Sequence, residues 1–388
     1  MEGNIKGKGA VRLDSPLDNG LCTNKDTEII NTKPVSFEFT KYSIGVSDIT
    51  ADAEQLIRLG NEAKESKGLF LVKTANRWIE QAKKRPIPKM LFDEFWYEGE
   101  LCILFADTNL GKSILGVQIG NGISTGKQIR GFRLEAPGQP VLYFDFELSD
   151  KQFENRYSIK FEQHYNFDEN FIRVEINPDA DIPANMGFED YLNHSLERSI
   201  IETGAKVLII DNLTYLKNET EKAKDALPLM KHLKALKSKY GLSILALAHT
   251  PKRDLSKPIT RNDLSGSKML MSFADSSFTI GESQKDKNIR YLKQIKVRQN
   301  EFIYDAENVC VCQIEKPINF LQFDLISFGT EREHLREITE KDKGQKVAEA
   351  VEFKKQGLSN YEIARRLSVS EGAIRKWIKK VNEAETEK

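Results

Sequence analysis

The sequence predicts an α/β fold with a mostly parallel sheet between helices, preceded by a small helical region and followed by a helical module. Two observations predict it. Short, continuous apolar segments alternate with longer stretches of helical pattern from residue 100 to about residue 326, as is typical of buried parallel strands joined by crossover helices. With 388 residues and 39% hydrophobic content, the chain can also bury one large core and carry smaller appendages.

The N-terminal part of the chain is predicted to form a tail and a small helical region. Residues 1–35 are polar and have no apolar period, which predicts a disordered tail. Residues 36–90 contain two stretches with apolar positions at helical spacing, residues 51–59 and residues 74–84. Thr74 is a residue type that caps helix starts, so it is the expected N-cap of the second helix.

The sheet-forming domain is assigned to residues 91–330. Its six candidate strands are residues 101–105, 141–145, 207–211, 244–249, 277–281 and 291–297. A linker at residues 331–340 leads to a separate module at residues 341–388. The chain should therefore consist of one large α/β domain with an appendage at each end.

The charge of the chain is balanced overall and uneven locally. Fifty-eight basic residues match 58 acidic residues, so the net charge indicates no nucleic-acid partner, and any such contact must come from local patches. Residues 341–381 contain eleven basic residues and five acidic ones. The C-terminal module is therefore the strongest candidate for contacts to a polyanion.

Cysteine usage and hydropathy predict a cytoplasmic protein. Of the four cysteines, Cys310 and Cys312 are too close for a zinc knuckle and lack a second ligand pair, so reduced structural thiols are expected. The longest apolar runs have about five residues, far below the roughly 20 that a membrane helix needs. The polar start of the sequence does not resemble a signal peptide. No membrane contact is expected.

A phosphate-binding loop is predicted at residues 106–113. It follows the first candidate strand, ends in Gly111-Lys112-Ser113 and precedes a helix-prone segment at residues 114–120. Backbone amides at the helix start would face the β- and γ-phosphates of ATP, Lys112 would neutralise them, and Ser113 would coordinate Mg²⁺. The predicted ATP-binding residues are Thr108, Asn109, Leu110, Gly111, Lys112, Ser113 and Ile114.

This loop departs from the usual pattern at two positions. Ala106 replaces the first glycine, and the middle of the loop contains no glycine. Asn109 stands at that middle position, and asparagine is the residue other than glycine that best tolerates a left-handed backbone. The alternative is a chance Gly-Lys-Ser sequence at a helix start.

Carboxylates follow the second and third candidate strands, at the sheet edge where open α/β sheets bind ligands. Glu147 is the candidate general base that orients the attacking water, and Asp145 competes with it for this role. Glu147 could instead cap the next helix. Asp211 ends an apolar strand and is predicted to hold the Mg²⁺ shell through water, although an acid can also simply end a strand.

His249 ends the fourth candidate strand. At that place a polar side chain can contact the γ-phosphate and relay its loss to the following loop, but a histidine can also be an ordinary hydrogen-bonded strand end. The loop at residues 251–268 is rich in cations and poor in apolar residues. Its candidate DNA contacts are Arg253, Lys257, Arg261 and Lys268, and the alternative is a solvated loop.

The C-terminal module has the pattern of a helix-turn-helix. A helix containing Glu362-Ile363-Ala364 is followed by a short turn centred on Val369 and by a basic helix that Ser370 can cap. The pattern resembles the resolvase and transposase type. Ile374, Trp377 and Ile378 would pack inward and leave three cations, Arg375, Lys376 and Lys379, to contact duplex DNA. The alternative is a helical protein-interaction module.

Taken together, residues 86–300 resemble the RecA-like hexameric P-loop ATPases, and most closely the RepA-like replicative helicases of plasmids and mobile elements. The segments that carry the resemblance are residues 95–100, 108–113, 143–149, 208–211, 248–250 and 296–298. In such families a Lys-x-Arg pair reaches the ATP site of the neighbouring subunit. The resemblance therefore implies a homo-hexamer in which Lys296 and Arg298 act in trans, with Arg298 as the arginine finger.

These observations predict an ATP-dependent DNA helicase or translocase that acts in the replication or mobilisation of a plasmid or mobile element. Single-stranded DNA would pass through the ring, the C-terminal module would hold duplex DNA, and a primase or another replication protein is a candidate partner. The alternative is a DNA-binding regulatory or recombination protein that uses ATP as an assembly switch. Forked-DNA unwinding separates the two.

Overall fold

The computed structural model describes residues 70–213, 226–264, 267–298, 301–337, 340–367 and 369–386. The chain divides into two units between Arg85 and Pro86. The first unit is described from residue 70 onward and contains helix α1, Ala75–Lys83. Thr74 caps this helix by accepting a hydrogen bond from the Arg77 amide, as predicted. The predicted tail and the predicted helix at residues 51–59 lie outside the described residues.

The described part of the second unit is built around one large sheet. Its strands are β1 Met90–Phe92, β2 Trp96–Tyr97, β3 Leu101–Ala106, β4 Val141–Asp145, β5 Ser158–Ile159, β6 Gln163–His164, β7 Phe171–Val174, β8 Val207–Asp211, β9 Ser243–His249, β10 Ser276–Glu282, β11 Ile289–Lys296, β12 Val309–Glu315 and β13 Gln322–Gly329. Nine of them form a sheet in the order β13-β12-β11-β10-β3-β9-β8-β4-β7. The six strands from β10 to β7 run parallel, and β11, β12 and β13 extend the sheet in antiparallel pairing. The predicted mostly parallel sheet is confirmed.

Helices cover both faces of this sheet. They are α2 Lys112–Thr125, α3 Asp150–Arg156, α4 Phe188–Thr203, α5 Ala226–Tyr240 and α6 Ser267–Phe273. Alternate residues of β3 point to opposite faces, so Leu104 joins the core beneath α2, whereas Ile103 joins the core beneath α4, α5 and α6. The α/β class predicted from the apolar segments is thus confirmed.

The parallel register brings the functional ends of the strands to one edge of the sheet. Ala106 at the end of β3 pairs with His249 of β9, and Asp145 at the end of β4 pairs with Asp211 of β8. The Thr250 amide donates to the Ala106 carbonyl over 3.1 Å, which extends the contact past the strand ends. The loops that follow β3, β4, β8 and β9 therefore meet at the same edge.

The chain after β13 remains packed on the sheet through a short 3₁₀ helix, Glu331–His334. The Glu331 side chain is only 1% exposed and forms a buried ion pair with Lys293 of β11. It also accepts hydrogen bonds from the Ile259 amide at 2.7 Å and from the Tyr291 hydroxyl at 3.1 Å. This carboxylate joins the loop after β9, strand β11 and the C-terminal end of the domain.

The C-terminal module consists of α7 Glu340–Lys355, α8 Asn360–Leu367 and α9 Glu371–Thr386. Its small core contains Ile363, Leu367 and Ile374, with Trp377 and Ile378 packed against it, as the sequence predicted for α9. The Ser370 hydroxyl accepts a hydrogen bond from the Ala373 amide and so caps α9.

Three of the four cysteines lie in the described residues. Cys102, Cys310 and Cys312 are all free and buried, and burial raises the pKa of each thiol. Across these described parts of the chain, no group of three or more His, Cys, Asp and Glu side chains could hold a metal ion. None of the helices in the same parts is long and apolar enough to cross a membrane.

Candidate active site

The loop between β3 and α2 has the backbone of a phosphate-binding loop. Asn109 has a φ of 64° and Gly111 a φ of 94°, so the predicted left-handed position is occupied by asparagine. A side chain at Gly111 would place its Cβ 2.9 Å from Ile314 and Phe323, which explains why this position requires glycine. Ala106 is still part of β3, so the extended backbone there needs no glycine.

Helix α2 begins at Lys112, two residues before the predicted start of the helix-prone segment. Its N-cap, Gly111, has no side chain that could satisfy the first amides. The amides of the first turn therefore remain available to an anion, and the positive end of the helix dipole adds to their attraction. Ser113 and Ile114 lie in this first turn, with Thr108 and Leu110 in the loop before it.

Lys112 points back into its own loop. Its ammonium donates to the carbonyls of Ala106 and Asp107 at 3.1 and 3.0 Å and lies 3.1 Å from Nδ1 of His249. The residue is only 5% exposed, and burial lowers its pKa, an effect that Asp211, Glu147 and Asp107 oppose. The lysine is thus held by weak neutral acceptors that a phosphate can replace.

The Asp211 carboxylate lies close to the Ser113 hydroxyl. Its Oδ2 accepts a hydrogen bond from the Tyr143 hydroxyl at 2.6 Å, whereas its Oδ1 is buried without a hydrogen-bond partner. Burial raises the pKa of Asp211 to about 6, and the Ser113 and Tyr143 hydroxyls oppose this rise. A buried, unpartnered carboxylate oxygen near a hydroxyl suits the hydrated shell of Mg²⁺, which in phosphate-loop sites is held by few protein oxygens.

Glu147, His249 and Asn212 form a second group beside Lys112. His249 Nε2 lies 3.1 Å from Glu147 Oε1, and the Asn212 amide donates to the same oxygen. The contacts with Lys112 and Glu147 suit the tautomer in which Nδ1 accepts from Lys112 and Nε2–H donates to Glu147. The Asn212 amide nitrogen also lies 3.0 Å from Nε2. The pKa of Glu147 is lowered, first by the hydrogen bond from His249, so this carboxylate is held in its ionised form.

The two competing carboxylates, Asp145 and Glu147, have different surroundings. Both oxygens of Asp145 are engaged, one by Arg173 at 2.9 Å and the other by the amides of Glu147 and Leu148 at 3.2 and 3.0 Å. The Glu147 side chain is 36% exposed. Asp145 therefore positions the loop that carries Glu147, and Glu147 is the carboxylate that a water can reach.

Asn212, Tyr143 and Arg173 are functional neighbours that sequence reasoning missed. Asn212 directly follows Asp211, and its polar character just past a strand end was the only available signal. Tyr143 and Arg173 lie inside strands β4 and β7, where nothing in the local pattern marks them. Only the register of the sheet shows that they reach Asp211 and Asp145.

Lys296 and Arg298 are not brought to this group. Lys296 pairs with Ser277, and β10 in turn pairs with β3 near Ile103, so the end of β11 lies toward the opposite edge of the sheet. The Lys296 ammonium donates to the Met271 and Ala274 carbonyls, each at 2.6 Å. Strand β3 has six residues, so the two edges are separated by roughly 17 Å. Neither cation can serve the phosphate loop of its own chain in this arrangement.

Hydrogen bonds and a 3₁₀ turn shape parts of the basic loop after β9. Arg253 donates to the Lys257 carbonyl at 3.2 Å, and Arg261 begins a 3₁₀ turn, Arg261–Asp263. The Arg336 amide donates to the Leu255 carbonyl at 3.0 Å. The segment that follows the 3₁₀ helix Glu331–His334 therefore contacts this loop. Lys268 lies in α6, and its side chain is outside the described residues. In α9, Arg375, Lys376 and Lys379 are exposed.

Comparison with known proteins gives one family match and a similar solved structure. Residues 71–254 match the family model described as AAA domain, which is just under half of the chain. No curated protein matches the chain. Among solved structures, the chain is similar to a KaiC-like protein from the hyperthermophilic archaeon Pyrococcus horikoshii, at 15% identity and a TM-score of 0.40, over 59% of this chain and 91% of that chain. The matched family segment contains the phosphate loop, Glu147, Asp211 and His249.

Proposed function

We propose that this protein is a Mg²⁺-dependent ATPase that uses hydrolysis to move along or unwind DNA, in the replication or mobilisation of a plasmid or mobile element. The observation that carries the catalytic part is the convergence of Lys112, Glu147 and Asp211 on one sheet edge, with His249 bridging the lysine and the glutamate. The DNA part rests on the basic loop, the basic C-terminal module and the stated resemblance to RepA-like helicases.

The site residues have distinct tasks in hydrolysis. The amides of the first turn of α2 bind the β- and γ-phosphates, and Lys112 leaves its carbonyl acceptors and His249 to neutralise them. Ser113 and the free oxygen of Asp211 would hold Mg²⁺, which supplies charge neutralisation on the phosphate oxygens. Glu147 accepts the proton of the attacking water, and Asn212 holds one oxygen of this carboxylate.

His249 lies between the nucleotide and the basic loop. When Lys112 turns to ATP, His249 loses the donor to its Nδ1 and keeps the contacts of its Nε2 with Glu147 and Asn212. Thr250 and the basic loop follow directly in the chain. Loss of the γ-phosphate can thus be transmitted through His249 and Thr250 to the basic loop, where the proposed contacts to single-stranded DNA lie.

The position of Lys296 and Arg298 supports a ring. These cations lie toward the sheet edge opposite to their own phosphate loop, and the Arg298 side chain is 49% exposed. In a head-to-tail assembly one edge of a subunit faces the other edge of its neighbour, so each finger would approach the next subunit's ATP. We therefore propose a homo-hexamer in which Arg298 stabilises the transition-state charge in trans.

The test combines ATP hydrolysis with forked-DNA unwinding. The full chain should hydrolyse ATP, faster with single-stranded DNA, and should separate the strands of a forked substrate. Lys112→Ala should abolish both activities, because it removes the main cation facing the phosphates. Arg130→Gln, a change at an exposed arginine, is the matched control. Retained hydrolysis in a folded Lys112→Ala variant would refute the site.

The same assay addresses the alternative function. The exposed cations of α9 favour duplex binding, which a regulatory or recombination protein would share. Tight sequence-specific duplex binding with negligible hydrolysis and no strand separation would favour an ATP-switched DNA-binding protein.

A further inference from the structure

A cavity of about 250 Å³ lies beside the phosphate loop, and its lining does not include Lys112, Glu147, Asp211 or His249. Residues 107–110 of the loop form one wall, and Thr250, Arg253, Glu282 and Arg290 contribute to the others. In the sheet, β10 and β11 lie on one side of β3, whereas β9, β8 and β4 lie on the other. The cavity is therefore separate from the group that contains Glu147 and Asp211, although both share the loop.

Arg290 is a buried cation without an ion-pair partner among the described residues. It is 9% exposed, and its Nε is buried with no hydrogen bond, whereas Nη1 donates to the carbonyls of Lys287 and Ile289 at 2.5 and 2.9 Å. Glu282 is its cross-strand neighbour but does not form an ion pair with it. A buried guanidinium with an unused donor is unfavourable unless an acceptor completes it.

A second unused donor lies in the same cavity. The Thr250 hydroxyl is buried without a hydrogen-bond partner, and Thr250 contacts the phosphate loop through its amide. Arg253, half-buried, adds another guanidinium to the lining. Buried polar groups in folded proteins are normally satisfied. The two residues that carry these orphaned donors both line the cavity, which is consistent with an acceptor that binds there.

The acids of the lining do not satisfy these donors. Asp107 is partly exposed at the loop and accepts the Thr108 amide at 2.7 Å. Glu282 offsets part of the burial cost of Arg290 through its charge and leaves the Arg290 Nε unpaired. The cavity also has room for an oxyanion with its hydration, since a water occupies only about 30 Å³ in the liquid.

We propose that this cavity binds a phosphoryl oxyanion, with Arg290 and Thr250 as donors and Arg253 at the side. Two sources share this chemistry: inorganic phosphate released by hydrolysis, and a backbone phosphate of single-stranded DNA. The site goes beyond the proposed function, because oxyanion binding here does not require DNA translocation. It would make the phosphate loop contact an anion on each of its two sides.

The experiment is calorimetric titration of inorganic phosphate into the full chain, saturated with Mg²⁺ and a non-hydrolysable ATP analogue that fills the loop's own phosphate positions. The unmodified protein should show one further phosphate site. Arg290→Gln should weaken it by about tenfold or more, because a charge-assisted donor is removed. Glu282→Gln should tighten it by about threefold, because a nearby like charge is removed.

Two further variants keep the test decisive if Arg290→Gln impairs folding. Thr250→Val removes the other orphaned donor with little change in shape and should also weaken phosphate binding. Arg130→Gln, which changes an exposed arginine outside the cavity, should leave binding unchanged. Absence of a further site, or equal affinity in all variants, would overturn the proposal.

The source is distinguished by two readouts. If the ligand is the released product, phosphate should inhibit steady-state hydrolysis without competing with ATP, and Arg290→Gln should relieve the inhibition. If it is a DNA phosphate, a single-stranded oligonucleotide should displace inorganic phosphate. Arg290→Gln should then reduce the slope of log affinity for single-stranded DNA against log salt concentration by about 0.7. Inhibition and displacement that are both insensitive to Arg290→Gln would contradict the site.

Discussion

Asp211 carries a charge in a place where the fold disfavours it. Burial raises its pKa from 3.8 to about 6, so the folded chain binds a proton that the unfolded chain has already released between these two values. Stability from this group is therefore highest at low pH, falls as the pH rises through this window and stays low above it. The cost of the ionised form is up to about 3 kcal/mol, at 1.36 kcal/mol for each pKa unit.

Asp211→Asn should consequently raise the melting temperature of the nucleotide-free protein at pH 7.5 by a few degrees, while hydrolysis is abolished. This increase in melting temperature should become smaller toward pH 5, because Asp211 of the unmodified protein is then largely protonated. Thermal unfolding at both pH values measures the effect. Asp145→Asn is the matched control and should lower stability, because it removes the buried carboxylate among the three that pair with Arg173. A destabilised Asp211→Asn variant would contradict this account.

Glu147→Gln should preserve nucleotide binding and lower hydrolysis by about 10² to 10⁴, the usual scale for removal of a general base. The carboxamide keeps the shape and one oxygen for the Asn212 amide but accepts a proton poorly. Fluorescent-nucleotide binding and phosphate release measure the two effects separately. If Asp145→Asn shows this pattern and Glu147→Gln does not, the base has been misassigned.

The site residues divide into those that sequence reasoning could find and those that it could not. Lys112 begins a helix, Asp211 and His249 each end a strand, and Glu147 lies two residues beyond the end of β4. The structure brings these four residues together. Tyr143 could not be found in this way, because its role depends on the neighbouring strand, which the local sequence does not contain.

At the scale of elements, the six candidate strands agree with the structure to within two residues at each end. The first four are almost entirely apolar, whereas polar residues interrupt the candidates at residues 277–281 and 291–297. Within the nine-stranded sheet, strands β7, β12 and β13 were not predicted. Strand β7 contains Arg173 in four residues, and β13 has partly exposed faces, so neither shows a continuous apolar signal. Such edge strands take their conformation from the neighbouring strand more than from their own composition.

The C-terminal module provides the prediction at this scale. Removal of residues 341–388 should spare basal ATPase activity, because Lys112, Glu147, Asp211, His249 and Arg298 all precede it. Duplex binding should weaken, and its log–log salt slope should decrease by about 0.9 for each DNA phosphate that the shortened protein no longer binds. Filter binding over a salt series measures both quantities. Single-strand binding should change less, since it is assigned to the basic loop.

A variant with Arg375, Lys376 and Lys379 changed to Gln is the matched control for this deletion, because it keeps the helices and their core. It should reproduce the decrease in duplex affinity and in salt slope. Unchanged duplex binding in both proteins would leave the module as a protein-interaction element.

At the scale of the whole molecule, the ring can be tested by mixing subunits. Arg298→Ala should leave ATP binding nearly unchanged and reduce turnover by about 10³-fold or more. Rings that mix Arg298→Ala with Lys112→Ala subunits contain some interfaces with an intact loop and an intact finger, so part of the activity should return. Mixed rings, verified by native mass spectrometry, that show no recovery would leave Arg298 as a surface residue that pairs with Asp275.

The buried Glu331 determines where the chain can be shortened. A version that ends at residue 330 lacks the partner of Lys293 and the acceptor of the Ile259 amide, and breaking a buried ion pair from one side costs about 3 to 5 kcal/mol. A version that ends at residue 340 keeps both interactions. A protease that removes the three C-terminal helices should therefore leave a stable fragment only when it cuts beyond Glu331, and the smallest ATPase obtainable from this protein includes this residue.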